Sequence, residues 1–543
     1  MVKQIRQFFA YSSQKSIVAD AVIVAFFGIM SRVLGLLRDR ILASHYGAGN
    51  ALDIYYAAFR LPDFIFELLV VGALGAAFIP IFSKLVIKKD INRAWQAASG
   101  VFIVIVVSMI VLAIVGIICA PLLMHLIVPG FPVNKMQETV NLARIMFLSP
   151  IFLSASAVLG GVLVSFRRFM LYSMAPLFYN MGIIIGATLI VPYTGLIGLA
   201  YGVVLGALMH FLIHVIAIKI AKTKFVIPKK WPYRNKDVRN ILSLMIPRMF
   251  SSASNQISLL LITFFASLLT AGSLTVFSFA NNVQSVVLGL IGVPFAVAAF
   301  PVLANKFAIN DKESFIGILS QTLRRILYYA VPLSMIFFVL REQIIRIVYG
   351  AGHFDINDTG LTYQILGILC ISLFAQSVIP LLARGFYAMQ NTKTPLYIAL
   401  GAQVVNIFII IILIRRVGIY AIAIAFSISA IVNAGLLFGL LHKHVRDEEY
   451  KNTLRTITQI TIATFVSFII TFFIRNTLGE ILPLKFVWGV LIQLISAGIG
   501  GGLVYLFVTA IFNMREYETI KKKIILRIFG RPQVANEEQN IVR

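Results

Sequence analysis

Residues 31–80 read SRVLGLLRDRILASHYGAGNALDIYYAAFRLPDFIFELLVVGALGAAFIP, and the fold turns on them. An apolar run carries Arg32, Arg38, Asp39 and Arg40 up to a glycine turn at 47–49. A second apolar run carries Asp53, Arg60, Asp63 and Glu67 beyond it. If both runs cross a bilayer, each charge near its centre costs roughly 2.5–3.5 kcal/mol on insertion scales, so it belongs in a protein interior or a watered cavity. Helical spacing predicts that placement. Gly28, Arg32, Gly35 and Asp39 recur at i, i+4, i+7 and i+11, and Asp53, Arg60, Asp63 and Glu67 at i, i+7, i+10 and i+14, each set on one helical face. The other faces are Ile, Leu, Val, Phe and Ala. For Arg38, Asp39, Arg40 and Asp53, which flank the turn, snorkelling to the interface is an alternative. Arg32 and Arg60, deeper in their runs, read as cavity lining.

Of 543 residues, 59% are hydrophobic and 13% charged, against about 25% charged in soluble domains. The fold class is therefore an all-α polytopic membrane protein. The formal net charge of +26 would point to nucleic acid in a soluble chain. No basic-aromatic module or zinc-ligand spacing accompanies it here, and no nucleic-acid partner is expected; lysine and arginine in cytoplasmic loops explain it. Cys119 and Cys370 sit in or at the end of apolar runs and read as small hydrophobes, with no disulfide implied. Lys3, Arg6 and Lys15 precede the first apolar run without a small-residue cleavage site after it, which predicts an uncleaved first span.

Fourteen apolar runs between 17 and 513 reach the ~20 residues that a span needs. Lys84, Lys88, Lys89 and Arg93 follow the second, Arg167 and Arg168 the fourth, and a basic loop through 222–239 the sixth, while the opposite loops are nearly free of base apart from Arg415 and Arg416. That alternation predicts both termini in the cytoplasm. AAFIPIFSKL (76–85) resembles AAFPVLANKF (298–307), with Pro80 and Pro301 221 positions apart. SFRRFMLYSMAP (165–176) resembles ARGFYAMQNTKTP (383–395), with Pro176 and Pro395 219 apart. The expected organisation is a cytoplasmic segment 1–16, a six-helix lobe 17–225, a second 226–445, two further helices within 446–515 and a basic cytoplasmic tail 516–543. Transporters built from such repeats place substrate between the halves.

HExxH, GxSxG, GxxxxGK[ST] and CxxC are all missing, so no catalytic residue, cofactor or metal site is expected. His353, with Asp355 and Asp358 nearby, reads as a polar outer turn. There is no Asp or Glu between Asp358 and Asp447, nor from Ile241 to Phe300, so the second half offers no acidic ion site. Arg248, after Pro247, either lines a cavity or snorkels to the cytoplasmic face. A cationic cavity suits an anionic substrate, because arginine forks pair bidentately with phosphate. Arg32 and Arg60, held by acids such as Asp39 and Asp63, suit a diphosphate head whose lipid tail stays in the bilayer.

SRVLGLLRDRILASHYGAGNALDIYYAAFRLPD and GALGAAFIPIF, followed in order by IMFLSPIFLSASAVLGGVLVSFRRF, SLMIPRMFSSASNQISLLL and LARGFYAMQNTKTP, resemble the MurJ (MviN) family of lipid II flippases, in the multidrug/oligosaccharidyl-lipid/polysaccharide exporter superfamily. The resemblance implies fourteen helices, two six-helix lobes around a central cavity plus two C-terminal helices. It also implies alternating access that moves a polyprenyl-diphosphate-linked peptidoglycan precursor from the inner to the outer leaflet of the bacterial cell membrane. Family cavity residues carry over to Arg32, Arg38, Asp39, Asp53 and Arg60. Arg32, Arg38, Arg60 and Arg248 are the expected substrate contacts. Asp39, Asp53, Asp63 and Glu67 are expected to orient them or to gate. The chain departs from the pattern at Phe66 and Asn282, where many members carry arginine, and lacks the acidic sodium ligands of some. Expected partners are the lipid-linked precursor, membrane lipid and cell-wall synthesis proteins. Two alternatives remain: export of another lipid-linked oligosaccharide, or a transport-inactive homologue that scaffolds envelope synthesis.

Overall fold

The computed structural model describes residues 17–71, 74–220, 235–442, 447–482, 487–519 and 521. The segment 1–16, the basic loop at 221–234 and the tail from 522 lie outside them. Helices joined by short turns make up these residues: α1 (Ile17–Tyr46), α2 (Asn50–Phe66), α3 (Leu74–Ile87), α4 (Ile91–Ile127), α5 (Val133–Met146), α6 (Ser149–Ser165), α7 (Phe169–Ile185), α8 (Ile197–Ile220), α9 (Lys236–Ser267), α10 (Ser273–Val287), α11 (Val293–Ala308), α12 (Lys312–Val339), α13 (Arg341–Tyr349), α14 (Ile356–Ala388), α15 (Lys393–Val417), α16 (Tyr420–His442), α17 (Asp447–Ile481) and α18 (Val487–Ile511). Among the described residues, eleven helical stretches are long and apolar enough to cross a membrane. The sequence reading counts three more spans, in the regions of α1, of α2 and α3, and of α9, which fall outside that criterion. Two of them, α1 and α2, carry the charged stripes.

The chain divides into two compact units. The first runs to Val283 and includes Val348–Ile365 and Ala399–Ala425; the second holds the rest. The first unit buries Phe78, Phe82, Trp95 and Val162 in its main apolar cluster. Within it α7, continued by a π-helical turn at Gly186–Ile190, meets α8 along glycines: a Cβ on Gly182 would lie 2.2 Å from Gly206 Cα, and one on Gly186 2.4 Å from Gly202 Cα. Small residues four apart are how helices approach closely in lipid, where no hydrophobic force drives them together. Pro176 inside α7 has no N–H for the carbonyl of Tyr172; His214 Nε2 fills that position at 3.3 Å. The second unit buries Leu319, Tyr328, Leu381 and Tyr505, with Tyr505 donating to the Tyr328 carbonyl at 2.8 Å.

The sequence repeat recurs in backbone geometry. A π-helical turn, Glu67–Val71, separates α2 from α3, and another, Leu288–Gly292, separates α10 from α11, starting 221 positions later. Beyond α3 and α11 the chain closes the helix the same way. Lys89 and Asn310, also 221 apart, adopt φ of 60° and 59°. Asp90 N donates to Leu85 O, and Asp311 N to Lys306 O. These are Schellman closures, which normally place glycine at the left-handed position. Asp90 and Asp311 then cap α4 and α12 by accepting from Arg93 N and Ser314 N. A second pair of closures, at Arg167 and Gln390, is 223 apart.

Candidate functional site

Arg38 lies nine residues before Gly47 and Arg60 eleven after Gly49, about 14 and 16 Å along their helices at 1.5 Å per residue. Both therefore sit about two to three helical turns in from the glycine turn that joins α1 to α2. Arg38 and Asp39 form an ion pair: Arg38 Nε and Nη2 donate to Asp39 Oδ1 at 2.9 and 2.7 Å. Asp39 is 1% exposed. Its second oxygen accepts from Asn282 Nδ2 on α10 at 2.9 Å, and Arg38 Nη1 donates to Asn180 Oδ1 on α7 at 3.1 Å. Burial rather than snorkelling is the outcome for this pair, because α7 and α10 supply the polar partners that a charge in lipid lacks.

Arg60 is half-buried. It donates from Nε to Thr263 Oγ1 on α9 at 3.0 Å and from Nη2 to Ser278 Oγ on α10 at 3.3 Å. Among the described residues Asp63 makes no salt bridge with Arg60; it acts on the guanidinium by charge across a longer distance, while two hydroxyls bond it directly. Asp63 and Glu67 are half-buried one turn apart, Glu67 opening the π-turn. Such turns concentrate at functional sites. Arg32 is half-buried on α1. The Arg248 side chain lies outside the described residues.

Asp53 is 2% exposed and fully engaged. It accepts from Gly272 N at 2.8 Å and from Thr275 N and Oγ1 at 3.0 and 2.8 Å, so it caps the N-terminus of α10 from another helix. Lys135 Nζ on α5 completes the set at 2.9 Å. A carboxylate there also meets the positive end of the α10 dipole. The adjoining turns pack tightly. A Cβ on Gly272 would meet Ala48 O at 2.2 Å, and Ala48 N donates to Asp358 Oδ2 at 2.7 Å. His353 N donates to Ser44 O at 2.9 Å, which places the His353 loop as a polar turn ahead of α14.

Sequence reading singled out Arg32, Arg38, Asp39, Asp53, Arg60, Asp63 and Glu67, and all lie in the first unit. It missed Asn180, Thr263, Thr275, Ser278 and Lys135. Asn180, an amide inside an apolar run, and Lys135, a base in an otherwise base-poor loop, were the signals available.

The model of a protein family described as lipid II flippase MurJ matches residues 42–492. A probable lipid II flippase MurJ of Vibrio cholerae is 29% identical over 445 residues, covering 80% of this chain and 84% of its own. A solved lipid II flippase MurJ structure in an inward closed conformation shares the fold with a TM-score of 0.74 at 24% identity, covering 92% of this chain and 100% of its own. An inward-facing multidrug resistance MATE transporter of the MOP superfamily aligns with a TM-score of 0.61 at 15% identity, over 78% of this chain and 98% of its own.

Proposed function

The chain belongs to the lipid II flippase MurJ family, and from that premise we propose that it moves lipid II from the inner to the outer leaflet of a bacterial cell membrane by alternating access. The observation that carries the reading is Arg38, held by Asp39 and Asn180 with donors to spare. Guanidinium has five N–H groups; two meet Asp39 and one Asn180, leaving one on each terminal nitrogen for a diphosphate. Arg60 and Arg32 are the next contacts, and Arg248 on α9 joins them. Asp39 orients Arg38. Asp63 and Glu67, on the same stripe as Arg60, oppose the bound anion, so that the head group is released rather than trapped.

Asp53 serves as the latch. Its bonds to Gly272, Thr275 and Lys135 hold one state closed, and substrate shifts the balance only through contacts that differ between states. In this reading the lobes 17–225 and 226–445 carry the motion, both termini face the cytoplasm, and cell-wall synthesis proteins take the lipid on the outer side.

The test is growth of a bacterium depleted of its own lipid II flippase. The chain restores growth, and Arg32→Ala or Arg38→Ala abolishes the rescue at equal membrane abundance. Failure of a well-inserted wild type removes lipid II as substrate. Rescue that survives both substitutions removes these arginines from the diphosphate site.

A further inference from the structure

Asn180 sits on α7, in contact with α1. Its amide nitrogen donates to Pro176 O at 3.0 Å and to Ser31 O at 3.4 Å. Both partners are carbonyls, which only accept, and Arg38 only donates. The amide therefore has one workable orientation, with Oδ1 turned to Arg38 Nη1 at 3.1 Å. On the opposite side, Asp39 takes Arg38 Nε and Nη2 with a single oxygen, and Asn282 occupies the other. An ion pair between neighbours on one helix turn leaves the guanidinium free to pivot about its carboxylate. Asn180 supplies the third fixed point, tied to the backbone of both α1 and α7. The Asn180 residue is itself buried, at 7% exposure, so this bond is little shared with water.

We infer that Asn180 is a positioning residue for substrate: it fixes the plane of the Arg38 guanidinium so that the two remaining N–H groups meet a diphosphate together. This rests on Arg38 being a diphosphate contact. Geometric pre-organisation of a donor pair raises affinity because the fork is not ordered at the moment of binding. Without Asn180 the ion pair with Asp39 persists, Arg38 stays charged, and only its orientation is lost.

The experiment measures binding of undecaprenyl diphosphate to the purified full-length chain in mixed micelles, for wild type, Asn180→Leu, Asn180→Ser, Arg38→Ala and the double variant Arg38→Ala/Asn180→Ser. Serine returns its hydroxyl to the carbonyl four residues back within the helix but is too short to reach Arg38, so it keeps the helix satisfied while removing the contact. Both Asn180 variants raise Kd about tenfold, the scale of one hydrogen bond to a charged group, with the fraction of binding-competent protein unchanged. The double variant binds no more weakly than Arg38→Ala alone, because Asn180 acts through Arg38. A purely structural role would lower the competent fraction instead, and its effect would add to that of Arg38→Ala; either result overturns the inference. So does wild-type affinity in both Asn180 variants while Arg38→Ala weakens binding, an outcome that leaves the diphosphate reading of Arg38 standing. Wild-type affinity in Arg38→Ala overturns that reading, and the inference with it.

Discussion

Asp53 concentrates more electrostatic bonding than any other acid of the two stripes: two backbone N–H groups, a hydroxyl and an ammonium converge on it. Lys135, with a side chain 9% exposed, depends on it. Removing one partner of a buried ion pair costs about 3–5 kcal/mol, largely because the other charge is left unpaired. Asp53→Asn, which keeps acceptor oxygen for α10 but leaves Lys135 without its counter-charge, is therefore expected to lower the apparent melting temperature in detergent. Lys135→Met in the Asp53→Asn background recovers part of the loss. An additive double variant would show that the two charges are not coupled. Sequence placed Asp53 on a charged stripe with snorkelling open. It could not supply Lys135, 82 positions on, because the partner is chosen by how α2, α5 and α10 meet. Arg38 and Asp39 are similar: Asp39 was legible from the stripe it shares with Arg32, and Arg38 from the turn it flanks and the family resemblance, whereas the contacts of Asn180 and Asn282, which make burial tolerable, exist only once the helices pack.

At the scale of elements, contact between α7 and α8 rests on backbone approach. A Cβ at Gly202 would sit 2.7 Å from Gly186 Cα, and backbone cannot yield as a flexible side chain would. Gly202→Ala is expected to cost about 1–3 kcal/mol, the range for overpacking, and to unseat α7, which carries Asn180. Gly28→Ala meets nothing within 4 Å, and alanine gains up to about 1 kcal/mol of helix propensity over glycine; its melting temperature stays level or rises. Matching falls in both variants would refute the packing argument. The Asp311 cap makes a pH prediction. Lys306 and the Ser314 hydroxyl and N–H hold its carboxyl down, at about 2, below the ~3.9 of an unfolded aspartate. A depressed folded-state value means that the stabilisation is fully present above about pH 4 and fades as pH falls toward 2. The melting-temperature gap between wild type and Asp311→Asn is expected to shrink across that window, and a gap constant from pH 6 to pH 3 would remove the cap's charge from the account. Neither element was fully visible beforehand. The sequence holds glycines four apart at 182 and 186 and at 202 and 206, but which helix each pair faces is decided only by packing. The closures before Asp90 and Asp311 hid because Lys89 and Asn310, rather than glycine, take the left-handed position.

For the whole molecule, the two signals of different kinds agree. Two stretches of similar sequence are offset by 221 and 219 positions, and the backbone adds π-turns, Schellman closures and aspartate caps at 221 and a second closure at 223. Local geometry survives where side chains have diverged, since helix closure needs a φ value and a hydrogen-bond pattern more than a particular residue. Both kinds of closure fall beside Lys84, Lys88, Lys89, Arg167, Arg168, Lys306 and Lys312, the residues whose alternation orients the chain. A count of fourteen spans would put every such turn on one side, with the loop at Tyr193 on the other. Tyr193 is 90% exposed and Lys88 is exposed as well, so each tolerates replacement by cysteine. Of the native cysteines, Cys370 is buried and Cys119 is half-buried within α4, which keeps background labelling low. In intact cells, a membrane-impermeant maleimide is expected to label Tyr193→Cys and to spare Lys88→Cys until the membrane is opened. Labelling of both positions from outside would break the even-span topology. Labelling of Lys88→Cys alone would invert it, and would put the loading side for the lipid-linked precursor on the wrong face of the membrane.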